Sequence, residues 1–307
     1  MIYITGDTHR DFTRIKYLKD KKENTLIILG DAGINYYLNK EDNLLKKYLQ
    51  KQNIKLFCIR GNHEERPENI KTYKEINMFD GKVYIEKDYP NLIFAKDGEI
   101  YSIDNKKVLV IGGAYSIDKE YRLLNNYKWF KDEQLTQKEM EIIYKKVKGK
   151  HFDIVLTHTC PYKYEPRETF IKGLDQSKID KSMEHFLDKI EENIKYDKWY
   201  CGHYHIEKQI DKLEFMFGRI KKFGKDEYAP KYNKNGYEII RDYCKQTDVH
   251  KNGKVACPKC NSKNIIIQKG EGHYIYGLDE IAITCNKCKK IYGFNDVKYK
   301  PNCPKEL

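Results

Sequence analysis

No stretch of the 307 residues approaches the roughly 20 consecutive apolar residues that a membrane-spanning helix requires, and mean hydropathy is −0.82. No membrane association is therefore expected. No leader is expected either, because Met1 runs directly into Ile2-Tyr3-Ile4-Thr5-Gly6-Asp7, and a cytoplasmic chain is the expectation. Arginine is scarce: only eight of the 58 basic residues are Arg, and lysine supplies most of the formal charge of +12. Such a surface favours diffuse attraction to polyanions over bidentate recognition, although biased codon usage would produce the same composition. Cysteine, with nine residues, is odd in number and unsuited to a disulfide framework.

What is present alternates along the first two-thirds of the chain. Short apolar runs at Ile2 to Ile4, Leu26 to Leu29, Ile54 to Ile59, Val108 to Ile111, Ile154 to Leu156 and Trp199 to Cys201 are separated by helix-like segments. Thr136 and Glu139 have capping-box spacing ahead of Met140, Ile143, Tyr144 and Val147, and a second amphipathic helix is read as opening at Ser177. Each apolar run ends in glycine or in residues that bind metals, which predicts an α/β domain with its chemistry at the carboxyl ends of the strands. Five of the nine histidines, His9, His63, His158, His203 and His205, stand at these ends beside Asp7, Asp31 and Asn62. Carboxylate oxygen with imidazole nitrogen suits Mn, Fe or Zn, and the lack of cysteine in the set argues against a closed structural zinc site.

Gly-Asp-Thr-His at residues 6–9, Gly-Asp at 30–31, Gly-Asn-His-Glu at 61–64, His158 after a strand and Gly-His-Tyr-His at 202–205 resemble the five ordered motifs of the calcineurin-like metallophosphoesterase family. The resemblance covers residues 1–223. It implies a sandwich of two mixed sheets flanked by helices, with two divalent metal ions at the strand ends. By the same resemblance Asp7, His9 and His205 hold one metal, Asn62, His158 and His203 the other, and Asp31 bridges them. His63 is then the catalytic group that stabilises or protonates the leaving oxygen, while a metal-bridging hydroxide attacks phosphorus in line.

Departures from the family pattern bear on substrate. Protein phosphatases of this superfamily carry further Asp and Arg residues shortly after the second motif, whereas here Gly30-Asp31 continues Ala32-Gly33-Ile34-Asn35. An acidic partner for His63 and a phosphate-gripping arginine are absent from their usual places. Arg66 and Arg10, close in sequence to metal motifs, are candidates for the substrate phosphate, and Tyr115 or Ser116 after Gly112-Gly113 can line the site. Residues 121–134, with Trp129 and Phe130, read either as a lid or as a docked loop.

Beyond residue 223 the composition becomes polar and lysine-rich. Residues 224–255 read as a linker or adaptor with one possible helix at 237–245, and residues 256–307 as a small β module. Cys257-Pro-Lys-Cys260, then 24 residues, then Cys285-Asn-Lys-Cys288 is the pattern of a four-thiolate structural zinc site, as in a zinc ribbon, with neither His273 nor Cys303 expected as a ligand. Lysines interleaved with Tyr274, Tyr276 and Tyr292 suit single-stranded nucleic acid as a partner, and a protein-docking or purely structural role is the alternative. The leading expectation is a phosphoesterase acting on a nucleotide or nucleic-acid ester. A phosphomonoesterase of phosphoproteins or small metabolites, or a non-catalytic scaffold, are the other readings.

Overall fold

Aliphatic and β-branched runs set the strands, which follow one another as Ile2–Thr5 (β1), Asn24–Ile28 (β2), Ile54–Cys58 (β3), Tyr73–Met78 (β4), Gly81–Glu86 (β5) and Leu92–Ala95 (β6). Glu99–Ile103 (β7), Lys106–Ile111 (β8), His151–Thr157 (β9), Lys195–Cys201 (β10), Lys208–Ile210 (β11), Leu213–Phe215 (β12) and Lys221–Lys222 (β13) continue the series. The structure, a computed structural model, describes residues 1–18, 24–170 and 175–227, and further on 260, 262, 265–269, 281–285, 287–288 and 291–293. Met1–Arg10 and Leu18–Glu227 form one unit, and Asp11–Tyr17 with the described residues beyond 228 form a second.

Two mixed sheets build the first unit, a seven-stranded one in the order β13-β1-β2-β3-β6-β5-β4 and a six-stranded one in the order β11-β12-β10-β9-β8-β7. β1, β2 and β3 run parallel in the first sheet, and β8, β9 and β10 run parallel in the second. The strand period of two then sorts side chains between layers. Val108 and Val110 of β8, with Ile154 and Leu156 of β9, pack against Ile4, Ile27, Phe57 and Ile93 of the other sheet. Leu109, Ile111, Val155 and Trp199 face the opposite way, onto Met140, Ile143 and Val147 of one helix and Met183, Leu187 and Ile190 of another.

Four α-helices accompany the sheets among the described residues: Lys40–Gln50 (α1), Lys119–Leu124 (α2), Gln137–Val147 (α3) and Ser182–Asn193 (α4). α3 starts where its sequence signature places it, with Thr136 and Glu139 exchanging both capping-box bonds. α4 does not open at Ser177. The Asp175 carboxylate accepts from the Ser177 amide and hydroxyl, holding a separate 3-10 turn at Gln176–Lys178, and the helix begins at Ser182, whose amide donates to Asp180.

In the second unit Ile265–Lys269 (β14), Ile281–Cys285 (β15) and Ile291–Gly293 (β16) form an antiparallel sheet with β15 central. Cys260 and Cys288 are described and half-buried, and Cys285 ends β15. Cys257, His273, Cys303, Tyr274, Tyr276 and the helix read at 237–245 lie outside the described residues, as does the connector after residue 227. No helix among the described residues is long and apolar enough to cross a membrane.

Candidate metal centre

All five motifs leave the carboxyl ends of parallel strands, and the two sheets present those ends to one another. Asp7 and His9 follow β1, Asp31 follows β2, Asn62 and His63 follow β3, His158 follows β9, and His203 and His205 follow β10. In three of the motifs the glycine makes room for a site residue delivered by another strand. A Cβ on Gly30, which has φ +95°, would lie 2.0 Å from His158 Nδ1. One on Gly61 would lie 2.0 Å from Asp31 Oδ1, and one on Gly202 2.3 Å from Asp7 Oδ1. The turns themselves are strained, since His9, Arg10, Asp31, His203 and His205 all have positive φ.

Two groups of donor atoms result. In the first, His9 Nε2 lies 2.9 Å from His205 Nε2, and His205 Nε2 lies 3.0 Å from Asp7 Oδ2. The ligand atoms of Asp7, His9 and His205 all lie within 4.8 Å of one another. His205 is backed by a stacked Phe217 ring, centroids 4.6 Å apart. In the second group, His158 Nδ1 donates to the Leu29 carbonyl at 2.8 Å, which leaves Nε2 with its lone pair facing Asn62 Oδ1 at 2.8 Å. Two acceptors at that distance repel unless a proton or cation is shared between them. Together with the three clustered donors Asp7, His9 and His205, this makes a donor set that fits divalent cations. His203 joins this group with its ring centroid 5.0 Å from that of His158, and its amide donates to both Asp7 carboxylate oxygens at 3.1 Å.

Asp31 stands between the groups. Its Oδ1 accepts from the His63 amide at 2.8 Å, and its Oδ2 is 3.7 Å from His158 Nε2 and 4.0 Å from His63 Nε2. Burial opposes the charge on Asp31, but His63, His158 and His9 outweigh it and hold the carboxyl far below the usual range. Asp7 behaves alike, with burial overcome by the His205 hydrogen bond and by His158. Burial also keeps His9 and His203 neutral, pushing His9 down to about 4 and His203 down to about 3. Anionic carboxylates and neutral imidazoles are the forms that ligate metals.

His63 is bracketed from the far side by a residue that the sequence motifs do not include. Arg122 of α2 donates from Nη2 toward His63 Nε2 at 3.4 Å, and its Nε is held by Asp118 Oδ2 at 2.7 Å. An acidic and a basic side chain thus stand at His63 after all, supplied by residues 117–135 and not by the second motif. The only sequence signal for them is the i, i+4 spacing of Asp118 and Arg122 in a segment otherwise poor in arginine. Phe130 is buried here, and Glu133 reaches Ser116, so the docked-loop description of this segment holds.

The other candidates lie elsewhere. Arg66 spends its guanidinium on Asp132 O, Gln134 O and Glu139 Oε1, none of them a residue of the metal centre, so it acts as a structural tie between these segments. Arg10 donates to Gly33 O and Asp42 Oδ1 and lies over the Tyr37 ring. Tyr115 has Lys119 over its ring; its neighbour Ser116 is the residue that touches the site, accepting from Asn62 Nδ2 at 2.9 Å. A further cluster of His151, Asp153 and Asp197 sits at the opposite ends of β9 and β10, largely exposed.

The family model for calcineurin-like phosphoesterases matches residues 1–207, two-thirds of the chain. No curated protein matches.

Proposed function

The chain belongs to the calcineurin-like phosphoesterase family, metal-dependent hydrolases of phosphate esters, and we propose that it acts on a nucleotide or nucleic-acid phosphate ester through a dinuclear centre. In this reading Asp7, His9 and His205 hold one divalent ion, Asn62, His158 and His203 hold the other, and Asp31 contributes to both. The observation that carries it is the facing of lone pairs between His158 Nε2 and Asn62 Oδ1, 2.8 Å apart, beside the clustered donor atoms of Asp7, His9 and His205. Bound ions of Mn, Fe or Zn supply Lewis-acid activation of water and of the phosphoryl group.

The chain's own residues do the rest. The Asp31 carboxylate orients the His63 loop through the His63 amide. Arg122 is placed to donate to a non-bridging phosphoryl oxygen, and a substrate that draws this donor away from His63 Nε2 leaves that nitrogen to carry the proton for the leaving oxygen. Burial and Arg122 disfavour the protonated imidazole while Asp31 and Asp118 favour it. The half-exposed rings of Tyr121 and Tyr127, 6.0 Å apart, lie on the segment that carries Arg122 and offer stacking surface for a base.

The second unit fits recruitment of substrate. Cys257, Cys260, Cys285 and Cys288 would hold a structural zinc ion, and the lysines and tyrosines interleaved with them in the sequence suit a nucleic-acid strand. The Asp118–Arg122 pair supports the runner-up, a phosphomonoesterase of phosphoproteins or metabolites, because it restores the acidic and basic partners that such enzymes place beside this histidine. A screen of nucleotides, cyclic nucleotides, DNA and RNA ends and phosphopeptides with added Mn²⁺ separates the two. Turnover of phosphopeptides alone would reject the nucleotide reading.

A further inference from the structure

Asn62 can ligate a metal only through its carbonyl oxygen, and an asparagine side chain turned over by 180° would present its NH₂ instead. Three buried residues decide which way it points. Glu133 Oε2 accepts the Ser116 hydroxyl proton at 2.5 Å, and Glu133 Oε1 accepts the Ser116 amide at 3.0 Å. With its proton committed to the carboxylate, Ser116 Oγ has only lone pairs left for Asn62, and it accepts from Nδ2 at 2.9 Å. Oδ1 is thereby turned toward His158 Nε2. Glu133, Ser116, Asn62 and His158 are each at most 3% exposed, so water does not scramble the polarity. Arg60 fixes the Glu133 backbone by donating to its carbonyl from Nη1 at 2.6 Å.

We propose that Glu133 is a positioning residue for the second metal ion, acting through Ser116 to fix the orientation of the Asn62 amide. Residues 117–135 would then complete the centre at two points, with Arg122 at His63 and Glu133 at Asn62. The inference rests on Asn62 being a ligand, as in the reading above.

The relay has a direction, and the direction can be reversed. In Glu133→Gln the new NH₂ can donate to Ser116 Oγ, which then donates its own proton onward and favours the flipped Asn62, with NH₂ toward the metal. A carboxylate at position 62 accepts on both sides, so it suits the reversed relay and opposes the native one. The test is calorimetric titration of Mn²⁺, an ion that thiolates bind poorly, into the metal-free full-length chain. Wild type should bind two ions in the phosphoesterase unit, and Glu133→Gln should weaken the second by at least about 10-fold, the range seen for outer partners of metal ligands. Adding Asn62→Asp to Glu133→Gln should tighten the second ion again, while Asn62→Asp in the wild-type background should weaken it. A simple charge effect would tighten it in both.

Tightening in both backgrounds, or a Glu133→Gln isotherm within about threefold of wild type, overturns the relay. A wild-type chain that binds one ion or none overturns the relay together with the ligand assignment, which keeps the two failures apart. Should Glu133→Gln fail to fold, Ser116→Ala carries the same expectation, because it leaves the Asn62 amide without its fixed partner, and unchanged second-site affinity there overturns the relay as well.

Discussion

The guanidinium of Arg122 lies 3.4 Å from Nε2 of His63, although 59 residues separate them in the chain. Arg122 is almost fully buried and braced by Asp118, so its approach to the imidazole is built into the fold and not a chance surface contact.

Replacing Arg122 with alanine should lower kcat/KM for an aryl phosphate ester by about 100-fold, about 2.7 kcal/mol of transition-state stabilisation. Arg122→Lys should recover only part of it, since a point charge does not keep both the Asp118 and the phosphoryl contacts. Steady-state kinetics with Mn²⁺ decides this. Unchanged kcat/KM in Arg122→Ala would remove the residue from the site.

His63→Ala should act on kcat more than on KM, and its effect should depend on the leaving group. A poor alkoxide leaving group needs a proton, so alkyl esters should lose about 100-fold or more, and nitrophenyl esters much less. Equal losses for both ester types would mean that His63 does not protonate the leaving oxygen.

Gly30 is where the fold tolerates no side chain. Its φ of +95° and the 2.0 Å approach of His158 Nδ1 to any Cβ mean that Gly30→Ala strains the backbone and displaces the His158 ring at once. Destabilisation of at least about 3 kcal/mol is expected. Denaturant melts of the metal-free chain check this, and a loss below about 1 kcal/mol would show that the loop relaxes freely.

Acid should weaken the metal-free protein in a defined window. His9 and His203 are pushed down by burial to about 4 and about 3, below the 6.5 of an unfolded chain. The unfolded state therefore binds more protons as pH falls from 6.5 through about 4, and stability present above pH 6.5 is lost over that range. Chelated wild type should melt progressively lower across it, and His203→Gln should show a shallower dependence. A flat profile in wild type would mean that these imidazoles are not kept neutral by the fold.

Metal should act through Asp31. Saturating Mn²⁺ stabilises only the folded state, by about 2.7 kcal/mol at 100 times Kd, and the chelated protein should melt correspondingly lower. Asp31→Asn should remove most of that metal-dependent gain and the activity with it. An Asp31→Asn chain that keeps both would show that the two ions do not depend on this carboxylate.

Much of this was legible in one dimension. A strand followed by a side chain able to bind metal, with a glycine between them in four of the five cases, is a local pattern, and its repetition after β1, β2, β3, β9 and β10 identified which residues gather, because parallel strands present their carboxyl ends together. The capping box of α3 was equally local. The start of α4 was not, since the Asx turn at Asp175 competes with a helix for the same amides. Nor does sequence proximity choose a partner. Arg66, two residues from Glu64, turns away to Glu139, while Arg122 and Glu133 come to His63 and Ser116 from a segment with no motif. Which side-chain types stand at the strand ends, and in what order, could be read from the sequence alone, because backbone geometry at a strand end is a short-range matter. Which lone pair faces which, why each motif glycine must lack a side chain, and what braces Asn62 and His63 emerge from the packed fold, because those contacts depend on how two sheets and one long connection pack together, and no local spacing encodes that.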